Sequence, residues 1–197
     1  MARIKSALEL ALERTEGVVG NREKIEADSF LKEGMKIASS LLGGETKSLR
    51  EALKDFSGKQ LGWVKEGLFQ TLLANIVLPL DDAYTPRLAA IEEHLPELLS
   101  DKRKAAALLQ QLAKFFEQYL DNRAKIREQL EQQLAPRLRQ REAQLAQQVG
   151  SPVRLNPLQD PEFVKVLQKN YAALDERYQE ALTGLKEELK HMFDTSH

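Results

Sequence analysis

Cysteine is absent from this chain, and histidine occurs only three times in 197 residues. Without thiols there is no disulfide framework, no thiolate metal site and no cysteine nucleophile, and nothing that requires an oxidising compartment. Strand signals are missing as well, since no run alternates β-branched or aromatic residues with polar ones. Long apolar runs are also lacking. The longest uncharged stretch, residues 67–80, spans 14 positions and includes Gln70, Thr71 and Asn75. A membrane-spanning helix needs roughly 20 apolar residues, so no span is expected. The opening residues, Met1 to Lys5, lead straight into a charged amphipathic pattern and not into the apolar centre of a secretion signal, which implies a cytoplasmic protein. Neither sign of charge dominates: 29 Lys+Arg stand against 30 Asp+Glu, leaving a net charge of −1. Such a balance exerts no global pull on nucleic acid or an acidic membrane.

What is present is apolar residues at helical spacing, and the expected fold is all-α. Ile4, Ala7, Leu8 and Ala11 share one face of a first helix over residues 3–16, expected to end near Gly17 and Gly20. A second helix is expected over residues 21–42, stopped by Gly43-Gly44. Ser48 and Glu51 have capping-box spacing for a short helix to Phe56. Residues 61–78 become apolar on every side, as in a helix enclosed by others, and Pro79 closes them. Thr85-Pro86 suits a cap and first helical position for a helix that Pro96 breaks or kinks.

The second half reads as two long helical arms around the loop 150–160, a coiled-coil-like antiparallel hairpin. In the second arm Leu167, Tyr171, Leu174, Tyr178, Ala181, Leu185 and Met192 recur at steps of about four and three, interrupted at Glu188. Folding at the loop places Leu138 near Tyr171, Leu134 near Leu174, and Ile126 near Leu182 or Leu185. Asp160-Pro161-Glu162 starts this arm with a capping carboxylate, a tolerated proline and an acid at the positive helix end. Pro136 is expected to kink the first arm without ending it. The division that follows is an N-terminal bundle of residues 1–100 and a hairpin of residues 101–197, with residues 101–116 packing on the bundle through Phe115 and Phe116.

Chemical motifs are few. Glu188 and His191 have the E-x-x-H spacing of carboxylate-bridged metal bundles, but His94 and His197 supply no second copy, so no metal is expected. Gly43-Gly44 with Lys47-Ser48 lacks the glycine spacing and the preceding strand of a phosphate-binding loop. There is no G-x-S-x-G elbow and no H-E-x-x-H zinc motif, and the carboxylate pairs Asp81-Asp82 and Glu92-Glu93 are adjacent, so on a helix they diverge. The reading is therefore a non-enzymatic protein without a cofactor.

Two segments together resemble an uncharacterised family of bacterial, largely helical cytoplasmic proteins: residues 4–15 at the start and residues 160–165 opening the last arm. That resemblance implies a fold but no activity, ligand or catalytic residue. The expected function is a helical interaction or scaffold protein whose arm pairs with a protein partner or a second copy through Leu130, Leu134, Leu138, Tyr171, Leu174 and Tyr178. The alternative is a nucleic-acid-associated protein using Arg123, Lys125, Arg127, Arg137, Arg139 and Arg141, which exceed Glu128 and Glu131 by four charges. Against it, no aromatic is interleaved for base stacking, and the facing arm is acidic enough to neutralise the cluster.

Overall fold

A computed structural model describes the backbone of residues 7–46 and 48–196, and the side chains of residues 23–46 and 48–196. Among the described residues there is no strand, and six α-helices follow in order: α1 Ala7–Leu42, α2 Leu49–Ala52, α3 Gly58–Ala74, α4 Thr85–His94, α5 Lys102–Val149 and α6 Pro161–Asp194. The protein is all-α, as its apolar spacing implies. No described helix is long and apolar enough to cross a membrane.

The first two expected helices are one. Gly17 and Gly20 lie inside α1, where a glycine costs about 1 kcal/mol relative to alanine but does not oblige the chain to turn. The expected face of Ile4, Ala7, Leu8 and Ala11 lies outside the residues whose side chains are described. Gly44 adopts φ 74° just beyond the end of α1, the left-handed conformation that terminates a helix. Ser48 Oγ accepts the Glu51 N–H, so the cap is where its spacing puts it, although α2 stops at Ala52 and not near Phe56. Thr85 does not cap α4. It already has helical φ and ψ, and Asp81 caps the 3₁₀ turn Asp82–Tyr84 that precedes it. At Pro96 the chain tightens into the 3₁₀ turn Leu95–Leu98. α5 runs through Pro136 without a break.

The chain divides into two compact units, and the division differs from a boundary at residue 100. Unit 1 comprises residues 1–76, 86–105 and 191–197; unit 2 comprises residues 77–85 and 106–190. In unit 1 the core is apolar, with Leu41, Val64, Leu68, Leu72, Ile76, Ile91 and Leu95 buried. The end of α6 belongs to it. Phe193 stacks on Phe69 at 4.1 Å, and Ser100 bonds the Met192 carbonyl through both its N–H and its hydroxyl, at 3.3 and 2.9 Å. The most demanding contact lies between α1 and α3, where backbone meets backbone. A Cβ at Gly34 would overlap the Val64 carbonyl and stand 2.8 Å from Leu68 N. One at Gly67 would overlap the Leu31 carbonyl. Only glycine permits this reciprocal approach.

Unit 2 is built on the antiparallel pairing of α5 with α6. Leu130, Phe163 and Leu167 form one buried cluster in it, flanked by Ile126, Leu134, Val164, Val166 and Tyr171. Along α6 a stripe of buried and half-buried apolar residues runs through Phe163, Leu167, Tyr171, Leu174, Tyr178, Leu182, Leu185, Leu189 and Met192, with Val164, Val166 and Phe193 beside it. The spacing along the stripe averages about 3.6 residues, the period of a straight helix. Leu182 is fully buried and Ala181, one position before it, is exposed, so the stripe passes Ala181 by and Leu189 closes the gap at Glu188.

The register also differs from the one expected. Tyr171, placed by the loop beside Leu138, packs with Arg123, fifteen residues earlier in α5. The cause is the loop. Residues 142–149 overrun the start of α6, and the loop runs back beside them, with Leu155 N–H donating to Glu142 Oε1 at 2.8 Å. Extended chain advances about 3.3 Å per residue against about 1.5 Å for a helix, so a few loop residues span two turns of α5. Phe115 and Phe116, expected on the N-terminal helices, have ring contacts with Tyr178 at 4.5 Å and with Tyr84 at 5.6 Å, both in unit 2.

Candidate functional site

The polar centre of unit 2 lies where one turn of α5 faces two turns of α6. Tyr119 and Arg123 are four residues apart and share a face of α5; Tyr171, Asp175 and Tyr178 share a face of α6. Tyr119 donates its hydroxyl proton to Asp175 Oδ1 at 2.6 Å and accepts from Arg123 at 2.8 Å. The Arg123 guanidinium lies 4.0 Å from the centroid of the Tyr171 ring and 3.7 Å from Asp175 Oδ1. Asn122 donates to the Tyr178 hydroxyl at 2.8 Å, and the Tyr119 and Tyr178 rings are 5.0 Å apart. Burial, reinforced by the Asp175 hydrogen bond, pushes the Tyr119 hydroxyl above its usual range and keeps it a proton donor. The arrangement is a brace: in any other alignment of the two helices the arginine and carboxylate lose these partners.

The loop end of the arm carries a second set of ties. Asp160 accepts the N–H groups of Glu162 and Phe163 at 2.9 and 3.1 Å and pairs with Arg141 at 2.7 Å. The Phe163 N–H first, then that of Glu162 and the charge of Arg141, hold this carboxyl below the ordinary carboxylate range. Glu162 is lowered likewise by its ion pair with Arg137.

These contacts decide where each expected site residue falls. Of the six interaction candidates, Leu130 and Leu138 are buried by the chain itself, and Leu134, Tyr171, Leu174 and Tyr178 are half-buried. Of the six basic candidates, Arg123 pairs with Asp175, Arg127 with Glu131, Arg137 with Glu162 and Arg141 with Asp160, while Lys125 and Arg139 are exposed. Among the described residues no group of three or more His, Asp or Glu side chains is placed to hold a metal ion.

Two features carried no clear signal in the sequence. One is an open groove of about 500 Å³ in unit 2, lined by Leu78, Leu80, Tyr119, Ala172, Asp175, Glu176 and Gln179. Its edge is the non-helical segment after α3, where Leu80 is 78% exposed and Val77 45%. The other is a cleft of about 550 Å³ in unit 1 between α2, α3 and the end of α4, lined by Arg50, Lys54, Lys65, Glu93, His94 and Glu97 over a floor of leucines. Its residues come from three separated stretches, so only the i,i+4 spacing of Arg50 and Lys54 could have hinted at it.

No curated protein and no solved structure significantly matches the chain. A family model does match, over residues 50–191, which takes in the α6 start that carried the second part of the resemblance but not residues 4–15. The match covers well over half the chain, and the protein belongs to DUF6657, a family of unknown function.

Proposed function

We propose that this is a non-enzymatic helical interaction protein that pairs with a second copy of itself, the arms of the two copies lying side by side and antiparallel. The observation that carries the reading is a pair of complementary patches at the two ends of the arm. At the groove, exposed Leu80 and Val77 stand with the acids Asp81, Asp82 and Glu176. Near the loop, Val149 is 66% exposed and Leu158 half exposed, with Arg154 exposed between them in sequence. Tyr119 at the groove and Val149 at the tip are thirty residues apart in α5, about 45 Å of helix. A two-fold axis crossing α5 midway sets each tip on the other copy's groove and closes both contacts at once. Between them lie half-buried Ile126, Leu134, Val164, Val166 and Tyr171. Completing their burial contributes about 1 kcal/mol each. Four of the six arm cations already have carboxylate partners within the arm, which favours this reading over nucleic-acid binding.

Sedimentation equilibrium tests it. The wild-type chain is expected to be a dimer, and Leu80→Asp and Val149→Asp are each expected to yield monomers with unchanged helical circular dichroism. Arg154→Glu weakens the dimer, and adding Glu176→Arg restores it. A wild-type chain that stays monomeric at about 100 μM, or a dimer indifferent to all of these changes, overturns the reading.

A further inference from the structure

We propose that the cleft of unit 1 binds a small organic phosphate. Its volume, about 550 Å³, is within the range of small-molecule sites. Arg50, Lys54 and Lys65 bring three positive charges to it from α2, the turn after it and α3. The opposing acids are Glu93 and Glu97, and the Glu97 carboxylate is already engaged by Lys102 at 2.7 Å. Three cations thus face one uncommitted carboxylate, a surplus that matches a phosphate dianion. Lys65 is half-buried, so its charge is partly withdrawn from water and gains more from an anion than a fully solvated lysine does. Arg50 contributes a planar fork suited to two phosphate oxygens.

An independent observation comes from the other wall. His94 is only 5% exposed, the one polar or charged residue among the buried side chains described, and it lines this cleft. A buried imidazole at the edge of a cationic cleft supplies a directed N–H at low ordering cost. The floor favours an organic phosphate over phosphate itself: Leu49 and Leu98 are buried, Leu53 and Leu61 half-buried, and together they offer an apolar seat beside the charges.

Calorimetric titration of the full chain with phenyl phosphate, inorganic phosphate and benzoate, alongside proton NMR of the histidine rings, tests the proposal. The His94 ring signal, assigned by its loss in His94→Gln, is expected to shift saturably with phenyl phosphate. Inorganic phosphate and benzoate are each expected to bind about tenfold more weakly, and Arg50→Glu and Lys65→Glu to weaken phenyl phosphate at least about tenfold. Arg139→Glu, on the arm, leaves binding unchanged, and circular dichroism confirms that each variant is folded. Absence of saturable binding at about 10 mM overturns the proposal, as does equal affinity for benzoate or indifference to both charge reversals.

Discussion

In unit 1 helices α1 and α3 meet backbone on backbone, at Gly34 and Gly67, whereas in unit 2 helices α5 and α6 are joined by polar side chains, at Tyr119, Arg123 and Asp175. The first kind of contact depends on what is missing, a side chain, and so does not survive added volume. The second depends on groups that have partners in one alignment only, so it selects a register more than it adds stability. A bundle with several neighbouring helices can define itself by shape. A two-helix arm, whose apolar seam repeats turn after turn, needs directional bonds to say which turn faces which.

The contrast is broken most severely at the glycines. Gly67→Val or Gly34→Val drives methyl groups into a carbonyl of the facing helix and is expected to cost at least about 3 kcal/mol, unfolding unit 1 in chemical denaturation. The same glycine-to-valine change at exposed Gly184, on α6, meets open space and is expected to be neutral or slightly stabilising, because valine is a better helix former than glycine.

Next in size is Pro136→Ala. Pro136 is exposed on an otherwise continuous α5 and withholds one helical hydrogen bond, so its removal should stabilise unit 2 by about 1–3 kcal/mol, read as slower hydrogen exchange in the arm.

Smaller again is Tyr119→Phe, which deletes the donor to Asp175 and should cost about 1–2 kcal/mol. Arg123→Ala should cost a similar amount. The Arg123 side chain is 19% exposed, but Asp175 is 42% exposed and water repays part of the loss. A double-mutant cycle should show the two changes to be less than additive, since both remove partners of the same carboxylate. Strict additivity would mean that the brace is not a unit.

The smallest expected effect is that of pH. The Asp160 and Glu162 carboxyls are lowered by their partners, so their contribution is fully present above the ordinary carboxylate range and is lost as pH falls through and below it. In unit 1 Glu92 is raised by burial, and its contribution runs the other way, greatest in acid and lost as pH rises through its raised value. Acid titration followed by residue-level exchange should therefore loosen the loop end of the arm, and Asp160→Asn should remove most of that dependence.

Several of these features were legible in the residues. The cap at Ser48, the Asp160-Pro161 start of α6 and the absence of a break at Pro136 depend on neighbours a few positions away, and all are found in the structure. The arm's charge complementarity was legible too, though not its pairs. Gly17 and Gly20 misled because a glycine lowers helix stability without forcing an end, and the continuation of α1 shows which outcome prevailed. The cleft and groove were hidden because their walls come from stretches far apart in the chain.

What the sequence determined by itself is the all-α class, the long arms and most helix ends, because hydrophobic period, caps and prolines act over one or two turns. Tertiary structure alone decided that Tyr171 meets Arg123, that α6 returns its last turn to unit 1, and that Gly34 and Gly67 let α1 and α3 touch. The reason is geometric. A stripe repeating every 3.6 residues is nearly unchanged by a slide of a whole number of turns, so helical period does not distinguish one register from the next. The loop's path and the polar brace make that choice.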